Sequence, residues 1–451
     1  MFKVPFLATA VLASGLMPLL AVGAVQNPFA DVVRIDTGGL KGVAEQDVIS
    51  FKGIPYAEPP IGELRWRAPQ PPKAWDGVRD AANFGPECMQ ADEVAKSEDC
   101  LTVNVWRPVG TSTEPLRVMV WIYGGALVHG ASSLYPAGAL ARQGVVVVSL
   151  NYRMGRLGFF AHPAQAAEAP DEVTGNYGYL DQRAALQWVQ RNIAAFGGDP
   201  KQVTIFGESA GGGSVLVHLT SPLSRGLFQR AMLQSPGIPT ARAAALPLTT
   251  LADANQRAVE YARSLGVEGE GAEALSALRK ISAETLVEGT SAPEVLAGLS
   301  SGSPVSGVVG SILDGRMVVE TPEQALAAGS QAKVPVLLGA NDRDLGLGSA
   351  SGKDELFARF GVNAAAARSA YDPTGEQTLE ELMKDVLADE TLVEPARHLA
   401  NELARAGQPV WLYRFGYVAE SMRGRSKGAL HGLEIPYTFD LQRALAGKAV
   451  T

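Results

Sequence analysis

Cysteine and histidine are scarce in this chain, and charge is modest with acid in excess. There are two cysteines and five histidines in 451 residues, and 47 Asp and Glu outnumber 39 Lys and Arg for a net charge of −8. Each shortage excludes something. A negative balance without a basic cluster argues against a nucleic-acid partner. Two cysteines and scattered histidines offer no clustered ligand spacing, so no metal is expected. No long apolar run follows the first 24 residues, so the body of the chain is not expected to cross a membrane. No internal repeat or low-complexity tail is present.

The first 24 residues are themselves apolar. Lys3 is the only charge before Asp31, an uncharged run follows from Val4, and small residues close it at Ala21-Val22-Gly23-Ala24. A basic start, an apolar middle and a small-residue end describe a secretory signal peptide cleaved near Ala24. Pro5, Gly15 and Pro18 weaken the alternative of a membrane anchor, and no cysteine stands at the junction to carry lipid. The expectation is export, with a periplasmic or extracellular product and no stable anchor after cleavage. Export permits a bridge between Cys88 and Cys100; two buried thiols remain the alternative.

The stretch with the most chemistry is Gly207-Glu208-Ser209-Ala210-Gly211. Before it, Val203-Thr204-Ile205-Phe206 reads as a buried strand; after it, Ser214 to Leu219 reads as a helix. Strand, Gly-x-Ser-x-Gly, helix is the sequence form of a nucleophile elbow, in which glycines flank a turn too tight for side chains. Gly298-Leu299-Ser300-Ser301-Gly302 has the same spacing, but no strand precedes it and Pro304 follows. That copy, with the Ser- and Gly-rich run from Ala297 to Gly310, is expected to be loop.

Along the chain, Val32 to Ile35 and Val48 to Phe51 read as strands. Phe51 to Pro60 reads as an extended surface segment, too proline-rich for a central strand. Strands are expected over Glu98–Trp106, Arg117–Tyr123, Val145–Leu150, Arg230–Gln234, Val334–Leu338 and Val410–Phe415, and helices over Tyr179–Val189, Thr249–Leu265, Ala272–Ile281 and Thr378–Ala406. Alternation of this kind predicts an α/β fold, a mostly parallel sheet flanked by helices. Residues 25–451 are taken as one domain, with a helix-rich cap insertion around 240–330.

A serine nucleophile needs a base and an orienting acid. Only His398 and His431 lie well downstream. His398 sits in a helical stretch, whereas His431 sits between glycines in Gly428-Ala429-Leu430-His431-Gly432, and is the candidate base. The acid should follow a late strand, which leaves Asp342 and Asp344, with Asp314 further upstream. An oxyanion would be received by the amide of Ala210 behind the serine and by Gly124 and Gly125 after an early strand.

With these segments assembled, the chain resembles the type-B carboxylesterases, the family of carboxylesterases, cholinesterases and fungal lipases with the α/β-hydrolase fold. The resemblance is carried by Phe51 to Trp66, Glu98 to Val105, Asn151-Tyr152-Arg153, Gly175-Asn176-Tyr177-Gly178, Asp181-Gln182, Phe196 to Pro200, Gly207 to Gly211 and His431 to Phe439. It implies ester hydrolysis without a cofactor, small-molecule ester substrates, and a Cys88–Cys100 disulfide. It places the nucleophile on Ser209, the base on His431, the acid on Asp344 and the oxyanion amides on Gly124, Gly125 and Ala210. Four departures stand out: Tyr123 where the family has histidine, Ala126 for a third glycine, aspartate rather than glutamate at Asp344, and an end at Thr451 soon after His431. The last implies exposed apolar surface or an open wall where relatives carry a further helical segment. A lipase acting on longer chains is the alternative activity. A non-catalytic binding protein is disfavoured because serine and histidine are both present.

Overall fold

The computed structural model describes residues 31–441 apart from 46, 93–94, 111–113, 238–247, 304, 308–309 and 425. The expected signal peptide, residues 1–24, lies outside the described residues. A nine-stranded sheet forms the centre. In chain order its strands are β1 (Val43–Glu45), β2 (Val48–Pro55), β3 (Thr102–Pro108), β4 (Leu116–Ile122), β5 (Val146–Leu150), β6 (Gly198–Glu208), β7 (Arg230–Gln234), β8 (Val336–Asn341) and β9 (Val410–Phe415). Their order across the sheet is 1-2-3-5-4-6-7-8-9. From β5 to β9 all neighbours run parallel, and β1, β2 and β3 add antiparallel pairs at one side. The mostly parallel sheet expected from the alternation of elements is therefore present.

The central strands are buried because their sequences have no polar face. All five residues of Val146–Leu150 are buried, as are Val118, Val120, Trp121 and Ile122. Each such side chain removed from water contributes about 1.5–3 kcal/mol before entropy is counted. Parallel β4 and β6 align Ile122 with Gly207. Their C-terminal ends thus deliver the Gly124-Gly125 segment and Ser209 side by side. Trp121 also meets Phe206 and Phe439 at ring separations of 4.8 and 5.0 Å, which fixes the chain beyond His431 beneath the same two strands.

Helices α1 (Tyr177–Asn192) and α2 (Ala210–Thr220) follow β5 and β6. Beyond β7, α3 (Leu251–Ser264), α4 (Ala272–Arg279) and α5 (Ala292–Ser301) come from the span expected to be a cap. Ala258, Ala262, Leu275 and Leu278 of α3 and α4 join the main core, while α5 packs Val295 against Ala126 and Val128 in a small separate cluster. Helices α6 (Leu379–Ala388) and α7 (Glu394–Arg405) precede β9.

Two expectations are corrected. Phe51 to Pro55 is not surface segment but part of β2, with Phe51 and Ile54 fully buried. The strand tolerates its one proline because Pro55 closes it, and the register shifts between Phe51 and Ile54, where Gly53 takes φ +65°. Residues 298–301 are helix, not loop: Ser291 and Glu294 form a capping box that starts α5, and Gly302 ends it at φ +71°. The span 378–406 is helical as expected, Leu379–Ala388 and Glu394–Arg405 being joined through a wide helical turn at Asp389–Val393. Pro395 there lacks the N–H that would continue an α-helical ladder.

Candidate active site

Ser209 sits between β6 and α2 with φ +57° and ψ −125°, a conformation that costs roughly 1–3 kcal/mol for a residue with a side chain. The neighbours explain why the turn can form. A Cβ on Gly207 would lie 2.6 Å from the Gly211 and Ile122 carbonyl oxygens, and one on Gly211 would lie 2.1 Å from the Ile122 oxygen. The Ser209 amide donates to Gln234 on β7, so the strained turn is tied to the next strand at 2.9 Å.

His431 Nε2 lies 2.9 Å from Ser209 Oγ, and its Nδ1 lies 2.5 Å from Asp344 Oδ1. The Asp344 carboxylate also accepts from Ser235 Oγ at 2.6 Å, from the Asn341 amide at 2.9 Å and from the Leu345 amide at 2.8 Å. The residues around Asp344 hold the histidine loop as well. Arg343 N donates to the Ala429 carbonyl, Asp342 Oδ1 accepts from the Ala429 amide, and the Asn341 side chain donates to the Leu430 carbonyl. Of the other candidates, Asp314 caps a turn through the amides of Arg316 and Met317, and His398 is exposed on α7.

Gly124 and Gly125 follow β4 beside the elbow. A Cβ on Gly124 would fall 2.9 Å from that of Ser209, and Gly125 has φ +98° with the His129 carbonyl 2.1 Å from where its Cβ would be. The Gly125 carbonyl turns inward to accept from Val128 and His129. A trans peptide therefore points the Ala126 N–H away from that turn. Ala126 takes φ +56°, so alanine adopts the left-handed backbone that a third glycine would adopt freely. On the opposite side of the elbow Ala210 opens α2, where first-turn amides have no acceptor within the helix.

A profile of the Carboxylesterase family matches residues 30–368. The chain belongs to the carboxylesterase family. It is 39% identical to fumonisin B1 esterase of Sphingopyxis macrogoltabida, over 92% of this chain and 76% of that protein. It is 36% identical to para-nitrobenzyl esterase of Bacillus subtilis (strain 168), over 90% and 82%, and 34% identical to cocaine esterase of Homo sapiens, over 95% and 81%. A solved structure of PNB esterase matches with a TM-score of 0.76 at 34% identity, covering 92% of this chain and 86% of that one. The carboxylesterase is a carboxylic ester hydrolase with the α/β-hydrolase fold, in agreement with the expected family and fold.

Cys88 and Cys100 of the esterase are bridged, as the resemblance implied. Among the described residues no group of three His, Cys, Asp or Glu is arranged to hold a metal ion, and no helix is long and apolar enough to cross a membrane.

Two buried carboxyls beside the histidine escaped the sequence reading. Glu208, next to the serine, lies with Oε1 3.3 Å from His431 Nε2. Burial pushes its carboxyl up to about 8, and the nearby charges of Glu434 and Asp344 add to the push. Glu434 is raised too, first by burial, although Asn341 donates to it at 2.6 Å. Burial pulls the His431 imidazole down, but the carboxyls of Glu208 and Asp344 outweigh it and raise the group to about 9. Asp344 goes the other way: burial pushes it up, and hydrogen bonds from His431 and Ser235 hold it below its ordinary value. Glu208 lies inside the elbow pattern and Ser235 directly after β7, so position at the C-terminal end of a parallel strand was the signal available for both.

Proposed function

We propose that this carboxylesterase hydrolyses small, largely apolar esters through Ser209, His431 and Asp344. The observation that carries the reading is the unbroken series from Ser209 Oγ through both His431 nitrogens to Asp344. Ser209 Oγ attacks the ester carbonyl carbon while its proton passes to His431 Nε2. The amides of Gly124, Gly125 and Ala210 receive the oxyanion, and the outward N–H of Ala126 is available beside them. Collapse breaks the bond to the alkoxide, which takes the proton from Nε2 and leaves as alcohol. Water then attacks the acyl-serine with the same proton path and releases the acid. Asp344 keeps Nδ1 protonated, so that Nε2 is the basic nitrogen.

Support for apolar substrates comes from α5, whose Val295, with Leu296 and Leu299 packed around it, lies against Ala126 and Val128. The relatives' names specify three unlike esters, which supports small-molecule ester hydrolysis as the shared activity. Export to the periplasm or medium is part of the proposal and rests on residues 1–24. An alkyl phosphonate should add once per chain with loss of activity, and peptide mapping should find it on Ser209. A label on Ser300, or none on inactivated enzyme, overturns the assignment. A p-nitrophenyl series from acetate to palmitate separates esterase from lipase: a jump in rate above the solubility limit of the long esters is the lipase outcome.

A further inference from the structure

We infer that Gln90, inside the disulfide-closed loop, is a positioning residue for the oxyanion-binding segment 124–130. The inference rests on the reading of that segment given above. The segment is gripped at both ends. At its start the Tyr123 carbonyl accepts from Tyr152 Oη at 2.8 Å. At its end the Gln90 side-chain amide pairs with both backbone groups of Gly130. Gly130 N donates to Gln90 Oε1 at 3.0 Å, and Gln90 Nε2 donates to the Gly130 carbonyl at 3.3 Å. Gln90 is 1% exposed, so these bonds do not compete with water, and losing them would strand two buried backbone groups.

The grip is placed where it can reach the amides. Gly130, at φ +121°, would put a Cβ 2.7 Å from the Tyr123 ring and 3.1 Å from the Gly124 carbonyl oxygen. Its backbone therefore lies directly against the residues that open the segment. Between them the Gly125 carbonyl takes the Val128 and His129 amides, which makes 125–129 one closed turn. A second tie runs parallel to the first, from His129 Nδ1 to Asp92 Oδ2 at 2.6 Å. Gln90 and Asp92 both lie between Cys88 and Cys100, so the bridge restrains the segment that holds the oxyanion turn. The role assigned to the bridge is thus catalytic positioning as well as restriction of the unfolded chain.

The test compares wild type with Gln90→Met, which keeps the side chain's length and packing but makes neither bond. It measures kcat and KM on p-nitrophenyl butyrate per phosphonate-titrated site. It also measures inhibition by an alkyl trifluoromethyl ketone, whose carbonyl carbon takes Ser209 Oγ while its oxygen becomes an oxyanion and the serine proton moves to His431. Misplaced oxyanion amides should lower kcat about 10–100-fold, leave KM within about threefold and weaken the ketone in step with kcat. Wild type with the bridge reduced and alkylated should show the same split, and this arm decides the matter if Gln90→Met does not fold. Unchanged kcat per titrated site, or a fall in kcat with the ketone's affinity intact, overturns the inference. Ser209→Ala is the control: if it retains turnover, the catalytic reading fails; if it is inactive while Gln90→Met is normal, only the role of Gln90 fails.

Discussion

Asp344 meets four donors with two oxygens: His431, Ser235 and two backbone amides. Asparagine offers one acceptor oxygen and an NH2 group, so in Asp344→Asn an N–H must face a donor. The imidazole can relieve this by moving its proton to Nε2, which is the wrong tautomer for accepting the serine proton. We expect kcat to fall about 10³–10⁴-fold with the fold intact. Asp342 looks equivalent in the sequence but faces the Ala429 amide. Asparagine can accept that bond equally well, so Asp342→Asn should stay within about fivefold, as a neutral acceptor replaces a charged one. Parallel assays at neutral pH decide between them, and a crippled Asp342→Asn would move the acid by two residues. The neighbouring Glu208 sets a pH dependence. In the proposed mechanism His431 must be neutral to accept the proton, and its raised pKa then places the rising limb of kcat/KM above the ordinary histidine value of about 6.5. Glu208→Gln removes the largest of the pulls that raise it, and should move the limb toward lower pH. A limb that stays in place would show that Glu208 does not act on the imidazole.

The turn after β4 separates backbone from side-chain roles. Tyr123 is buried, its ring stacked on Tyr152 at 4.6 Å, and no part of its side chain is needed to donate to an oxyanion. Tyr123→His should keep kcat within about tenfold while lowering the melting temperature through lost packing. Gly125→Val should cost far more than about 10²-fold in kcat, the usual effect of losing one oxyanion donor. Valine cannot adopt φ +98° without strain, and its Cβ would meet the His129 carbonyl. Steady-state rates of both variants at matched folded fraction check the pair. This element also illustrates what a sequence tells at this scale. The runs Val118–Ile122, Val146–Leu150 and Val203–Phe206 of β4, β5 and β6 were legible because they are almost wholly apolar. The first half of β6, Gly198–Gln202, was not, because Asp199, Lys201 and Gln202 give it a polar face. The elbow was legible because strand, glycines and helix occur in order. The β2 extension was hidden by Pro55, whose place at the strand's end cannot be seen without its partner Thr102. Helix α5 was hidden because its last turns are glycine and serine, and its stability comes from the cap at Ser291 and contacts with Ala126 and Val128. Ser235 belongs to no motif and reaches the site only because parallel strands end at one edge. Glu434 lies within the segment His431 to Phe439, but nothing in the sequence told that its carboxyl would be buried beside the imidazole.

At the scale of the molecule, the site's proton chemistry is also a stability statement. Glu208 and His431 both have raised pKa values in the fold, so the folded chain holds more protons than the unfolded one over the window between ordinary and shifted values. For His431 the sign is direct: the stabilisation is complete below the unfolded pKa of about 6.5 and is lost as pH rises through about 9. For Glu208 the penalty of a buried carboxylate is absent below its unfolded value and complete above about 8. Both contributions reduce stability as pH rises. Asp344 has a depressed pKa, so its contribution is already complete above its unfolded value of about 3.9 and does not change in this range. The melting temperature should therefore fall between about pH 7 and pH 9, while kcat/KM rises over the same interval because the proton that favours the fold blocks the base. Calorimetry across that range on wild type and Glu208→Gln checks the coupling. The glutamine variant should melt with a shallower dependence on pH, its activity limb displaced downward in the same buffers. A melting temperature that climbs from pH 7 to 9 in wild type, or a slope unchanged by Glu208→Gln, would mean that the site's buried carboxyl is not what links activity to stability in this esterase.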